Sequence, residues 1–196
     1  MGDIKSAFEI AMEKVEKLGD ASEEERLRWK YVPEGEQLGA RYLKEDCNLL
    51  AELGRYPDKT RKYVIEGAAE VLIRNIGLPR NEVAKKTNKR AMDGLKMLKN
   101  NKGGMENVFS GIRNIFNHYA EQGEGQRKQA YASLKADFEA KIRQAMQQQP
   151  GSFLGAKIDV EKQPQFQQQW RAVLTRLDSQ YLNHLNEYKK ELAAIQ

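Results

Sequence analysis

From Phe166 to the end of the sequence, apolar side chains return at steps of mostly three and four: Trp170, Val173, Leu174, Leu177, Tyr181, Leu185, Tyr188, Leu192 and Ile195. That period matches the turn of an α-helix and not the alternation of a strand, so one face of a long helix is apolar. The same spacing puts Ile4, Phe8, Ala11, Met12, Val15 and Leu18 on one face of a first helix closed by Gly19. Ala, Leu, Glu, Lys, Gln, Arg and Met, which lose least entropy in a helix, make 111 of the 196 residues, against 18 Val plus Ile. The fold class that follows is all-α, with an N-terminal multi-helix cluster and a C-terminal antiparallel hairpin of long helices.

Glycine and proline set the expected boundaries. Ser22 with Glu25 three residues on predicts a capping box, and Pro33, which removes a backbone donor, predicts a break or kink. A longer helix over 34–53 is then closed by Gly54 and Pro57. Asp58 or Thr60 is placed to cap the next helix, whose Val64, Ile65, Ala68, Val71, Leu72 and Ile76 form the most apolar stripe in the chain. Pro79 and Asn81 open a helix running to about Asn100, and Asn100-Asn101-Lys102-Gly103-Gly104 makes the strongest linker, dividing 1–102 from 103–196. Met105 to Gln149 predicts one long helix with Gly123 and Gly125 as an interruption, and Leu154, Ile158 and Val160 one short extended segment with no strand to pair with.

Several function classes are excluded by what the chain lacks. Cys47 has no partner for a disulfide, and one Cys with two His cannot build a Cys/His zinc site. No apolar run approaches about 18 residues and no apolar leader core follows the first residues, so neither membrane spanning nor export is expected and a cytoplasmic location is. Met1-Gly2 followed by Ser6 meets the bare myristoylation pattern, but its surroundings are acidic rather than polybasic. No nucleophile elbow, Walker loop or dinucleotide fingerprint occurs, so no enzyme and no cofactor is expected. His118 and Glu121, one turn apart, are the nearest approach to a metal pair.

The net charge of +5 is local. Arg80 to Lys102 holds eight basic against two acidic side chains, while the chain before it is mildly acidic and the chain after it nearly balanced. Lys85, Lys86, Lys89, Arg90, Lys96 and Lys99 are therefore the candidate phosphate contacts of a nucleic-acid-associated protein. Ala84 and Asn88 give the same window a faint helix-turn-helix pattern, against which Gly94 falls where an apolar core residue is wanted. The acidic N-terminal region, with Glu23, Glu24 and Glu25, is the competing partner for those cations. Amphipathic aromatics suit helix seams, and Trp170, Leu177, Tyr181 and Tyr188 are the candidate interface residues of a homo-oligomer or of a complex with a helical protein partner. The preferred expectation is a non-enzymatic interaction or assembly protein, with nucleic-acid association second and a metal- or ligand-binding helical bundle third.

Overall fold

The computed structural model describes residues 22–45, 47–148 and 159–195. Among them are α1 (Glu23–Lys44), α2 (Leu49–Leu53), α3 (Asp58–Asn75), α4 (Glu82–Leu98), α5 (Lys102–Gln148), a 3-10 turn (Val160–Lys162) and α6 (Pro164–Ala194), with no strand. The fold is all-α. The helix expected over 3–18 and the extended segment at Leu154 and Ile158 lie outside the described residues, and Val160 opens the 3-10 turn instead.

Local chemistry explains where the helices start and stop. Ser22 and Glu25 close the expected capping box, the Glu25 amide donating to Ser22 Oγ at 3.2 Å and the Ser22 amide to Glu25 Oε2 at 2.8 Å. Pro33 does not end α1. It lies on the exposed face and removes a single donor from a helix held by its neighbours on the other side. The single helix expected over 34–53 is two: Glu45 is extended, and the Asn48 side chain accepts the Ala51 amide at 3.1 Å to start α2. Pro57, not Asp58 or Thr60, stands at the start of α3, while the Thr60 hydroxyl donates back to the Pro57 carbonyl. Gly123 and Gly125 do not interrupt α5. The helix-turn-helix expectation also fails, because Glu82 to Leu98 is one continuous helix with no turn at the buried Asn88.

The described residues form two compact units. The first comprises those up to Ile76 with Lys86–Lys102 and the chain from Ala193; the second comprises those within Gly77–Lys85 and Gly103–Leu192. In the first unit α1 packs along α3, and Val64, Ala68, Leu72 and Ile76 are fully buried, as the apolar stripe predicts. The crossing is close because it is made of glycine. A Cβ on Gly35 would lie 2.9 Å from Val64 Cα and closer still to its carbonyl, and one on Gly67 would lie 2.9 Å from the Glu36 amide nitrogen and nearer to the Val32 carbonyl. Gly94 of α4 likewise leaves room for Tyr42 and Leu72, which a Cβ would meet at 2.7 and 2.8 Å. No apolar side chain is wanted there, since two neighbours already fill the space.

In the second unit the contacts between α5 and α6 run in opposite order along the two chains. Gly111 faces Tyr188, His118 and Tyr119 face Tyr181, Tyr131 meets Trp170 and Phe166, and Phe138 meets Phe166. That is the order of an antiparallel pair. Phe138, Val160 and Phe166 form a buried cluster flanked by Tyr131, Leu134 and Ile142, edge-to-face ring contacts setting the distances.

Candidate functional site

The six basic candidates differ in their surroundings. Arg90 lies 4.9 Å over the Tyr42 ring and donates to the carbonyls of Tyr42 and Glu45, at the end of α1. Lys99 donates to the Ala193 and Ile195 carbonyls, at the end of α6. Burial pushes its ammonium below the ordinary lysine range. Lys85 pairs with Glu82 at 2.7 Å and belongs to the second unit, whereas Lys86 and Lys89 belong to the first. Lys96 is half-buried and already engaged. Lys86 and Lys89 are exposed, and line a groove of about 610 Å³ with Cys47, Leu50, Asp93 and Met97.

The candidate interface residues are engaged within the second unit. Trp170 packs edge-on to Tyr131 at 5.0 Å, the Tyr181 hydroxyl lies 2.9 Å from His118 Nδ1, the Tyr188 ring covers Gly111, and Leu177 is half-buried. Aromatic seams form in this chain between its own helices. The His118 ring is held by that tyrosine, Glu121 is exposed, and no group of three or more His, Cys, Asp or Glu converges among the described residues.

A different constellation comes together in the second unit: a cavity of about 960 Å³ walled by residues 79–85, by α5 and by α6. Asn81 shapes the first wall by accepting the Ala84 amide at 2.8 Å, which starts α4 and leaves Arg80 just before the helix. Arg80 Nη2 donates to Asp178 Oδ2 of α6 at 2.7 Å. Asp178 is 6% exposed, its Oδ1 has no surface open to the cavity, and the Tyr119 phenol stands beside the carboxylate as a hydrogen-bonding neighbour.

The α5 wall supplies Tyr119, Glu124 and Arg127, and the α6 wall Arg171 and Thr175. Arg127 folds back over the Tyr119 ring at 4.2 Å and donates to the Tyr119 carbonyl at 3.2 Å. The guanidinium also passes close over Gly123, where a Cβ would lie 3.0 Å from Arg127 Nη1. Glu124 is taken by Lys128 at 2.6 Å, so neither Arg127 nor Arg171 has a carboxylate in ion-pair contact among the described residues. Burial, and then the charge of Asp178, push the Tyr119 phenol above the ordinary tyrosine range, so it stays protonated at neutral pH. The cavity thus offers two guanidinium groups and a helix start. That set favours an anion, since guanidinium forks fit carboxylate and phosphate and helix starts attract negative charge.

Of the cavity residues, Arg80, Asn81, Glu82 and Lys85 fall inside the basic window, and Asp178, Tyr119, Arg127 and Arg171 lie outside every expected site. One signal was present. Asp178, Leu185 and Leu192 are seven residues apart, which puts a carboxylate in line with apolar positions of one helix face. Residues 50–194 match the model of a family described as one of unknown function. No curated protein and no solved structure matches the chain.

Proposed function

The chain belongs to DUF6657, a family of unknown function, and from its own site we propose that it is a non-enzymatic binding protein whose second-unit cavity holds a small organic anion. The observation that carries this reading is a cavity that presents Arg127 and Arg171 with no carboxylate in ion-pair contact with either among the described residues. A volume of about 960 Å³ falls in the range of small-molecule sites, roughly 300 to 1,000 Å³. The test is a thermal-shift screen of small carboxylates and phosphates against the wild type and the Arg127→Met/Arg171→Met double variant. The reading requires compounds that raise the wild-type melting temperature and leave the variant's unchanged. A screen in which both proteins respond alike to every compound would remove it.

A second reading, assembly through helical surfaces, is favoured by Leu50 and Met97, which are 56% and 46% exposed and share the first unit's groove with Lys86 and Lys89. Apolar side chains beside exposed lysines fit an acidic amphipathic helix of a partner protein. Light scattering over a concentration series separates this from self-association: a constant mass near 22.5 kDa is expected, and growth of mass with concentration would make a second copy the occupant.

A further inference from the structure

The cavity also limits what its anion can carry besides charge. Its other ionic side chains are already matched, Arg80 with Asp178, Lys85 with Glu82 and Glu124 with Lys128. The neutral polar groups are spent as well. The Thr175 hydroxyl donates to the Arg171 carbonyl at 2.9 Å, the Asn81 side-chain oxygen caps α4, and the Tyr119 phenol is the hydrogen-bonding neighbour of Asp178. Arg127, with Nη2 on the Tyr119 carbonyl, and Arg171 are left to meet an occupant.

The remaining wall is apolar. Leu174 and Leu182 stand one helical turn to either side of Asp178 on α6, and Ala120 of α5 and the buried Pro79 face the same cavity. A sugar, a nucleotide or a dicarboxylate would give up water there to side chains with no bonds to return, and each hydrogen bond lost in that way weakens binding. An apolar chain has none to lose. At a rise of about 1.5 Å per residue, Arg171 and Leu182 lie roughly 16 Å apart along α6, so a charge held at the arginine leaves length for a chain that passes Leu174 and ends near Leu182.

We propose that the second-unit cavity takes an amphipathic anion, a single carboxylate or phosphate head met by Arg127 and Arg171 on an apolar chain that lies against Leu174 and Leu182. This rests on the reading of the cavity as an anion site, and it narrows that reading to one chemical class. Guanidinium forks accept either head. Each methylene that the chain buries contributes up to about fourfold in affinity.

The test is isothermal titration calorimetry of the full chain at low salt with butanoate, octanoate and suberate, which has the length of octanoate and a carboxylate at each end. Butyl phosphate and octyl phosphate form the phosphate arm, and the arm that binds tells which head the site takes. The longer member of that arm should bind about tenfold or more tighter than the shorter, and octanoate, where it binds, tighter than suberate. Arg127→Met/Arg171→Met should abolish the binding. Leu182→Asn should remove the preference for length, as should Ala120→Gln, a change at an exposed position that tests the same wall if Leu182→Asn loses its helical circular dichroism. Lys86→Ala/Lys89→Ala should leave binding unchanged, and its loss there would move the ligand to the first unit's groove and overturn the proposal. Equal binding of long and short probes, or a preference for suberate, still abolished by Arg127→Met/Arg171→Met, would overturn the apolar chain and leave the anion site standing. A length preference that survives Arg127→Met/Arg171→Met would overturn the anionic head. No binding of any of the five would overturn the class, and the thermal-shift screen then decides the anion reading by itself.

Discussion

At position 178 a carboxylate occupies a place that the helix period gives to an apolar side chain, and the cost falls unequally on its pair. Arg80 is 59% exposed at its side chain and regains water if its partner goes, whereas Asp178 is buried. Asp178→Leu should therefore raise stability, by about 1 kcal/mol in urea unfolding, because replacing a buried ion by an apolar side chain is often neutral to stabilising. A loss above about 2 kcal/mol would mark the pair as structural. The glycines make the opposite case. Gly67→Ala puts a methyl against the backbone of α1, which cannot rotate aside, and should cost about 2 to 3 kcal/mol. Gly125, inside α5 with nothing within 4 Å, should gain about 0.5 to 1 kcal/mol on substitution by Ala, and urea midpoints of the two variants check both signs. In the sequence these glycines are alike. Only the partner helix distinguishes Gly67 from Gly125, whereas Asp178 was legible as a charge on an apolar face.

At the scale of the helix, ends account for much of the basic segment. Arg90 serves the last carbonyls of α1, Lys99 those of α6, and Lys102 the Lys96 and Lys99 carbonyls as α4 ends. A helix C-terminus carries partial negative charge and carbonyls without donors, so each cation supplies charge and hydrogen bonds together. Arg90→Met should destabilise the chain by about 1 to 3 kcal/mol, since it removes charged hydrogen bonds to two carbonyls and a ring contact; an unchanged urea midpoint would show those carbonyls content without it. The start of α1 is the acidic counterpart. Glu23 is held below the ordinary carboxylate range by Lys59, Glu24 by Lys62 and then Tyr63, and Glu25 by the amide and hydroxyl of Ser22. With folded values depressed, their contribution is present above the unfolded carboxylate range, about pH 4, and is lost as pH falls through the lower folded values. Amide exchange at 23–28 should accelerate, relative to the intrinsic rate, as pH falls from 6 to 3, and less so in high salt, where these exposed pairs are already screened. Helix positions were largely legible because capping and spacing are local; which helix end a lysine serves is set by residues up to 96 positions away.

For the whole molecule, the +5 charge becomes a question of how many cations remain for an outside partner. Periodicity made the all-α class and the long helices legible, and the charge count located a basic window. Neither reports neutralisation, which depends on contacts between residues distant in sequence. Arg80 is taken by Asp178, Lys85 by Glu82, and Arg90, Lys99 and Lys102 by helix-end carbonyls, while Lys96 is engaged; Lys86 and Lys89 stay exposed. Affinity for duplex DNA falls with salt at a slope of about −0.9 per phosphate neutralised. Had the six candidate cations acted together, the logarithmic slope would approach about −5, and a site built on Lys86 and Lys89 alone should give about −2. Fluorescence anisotropy of a labelled duplex between 25 and 200 mM salt, conditions set by the roughly 10 Å screening length at 0.1 M, measures it directly. Binding should be weak throughout, and Lys86→Ala/Lys89→Ala should abolish it with the urea midpoint unchanged. A slope near −5 would mean that the helix-end cations leave their carbonyls for phosphate, in which case DNA would also loosen the end of α1 and accelerate amide exchange there.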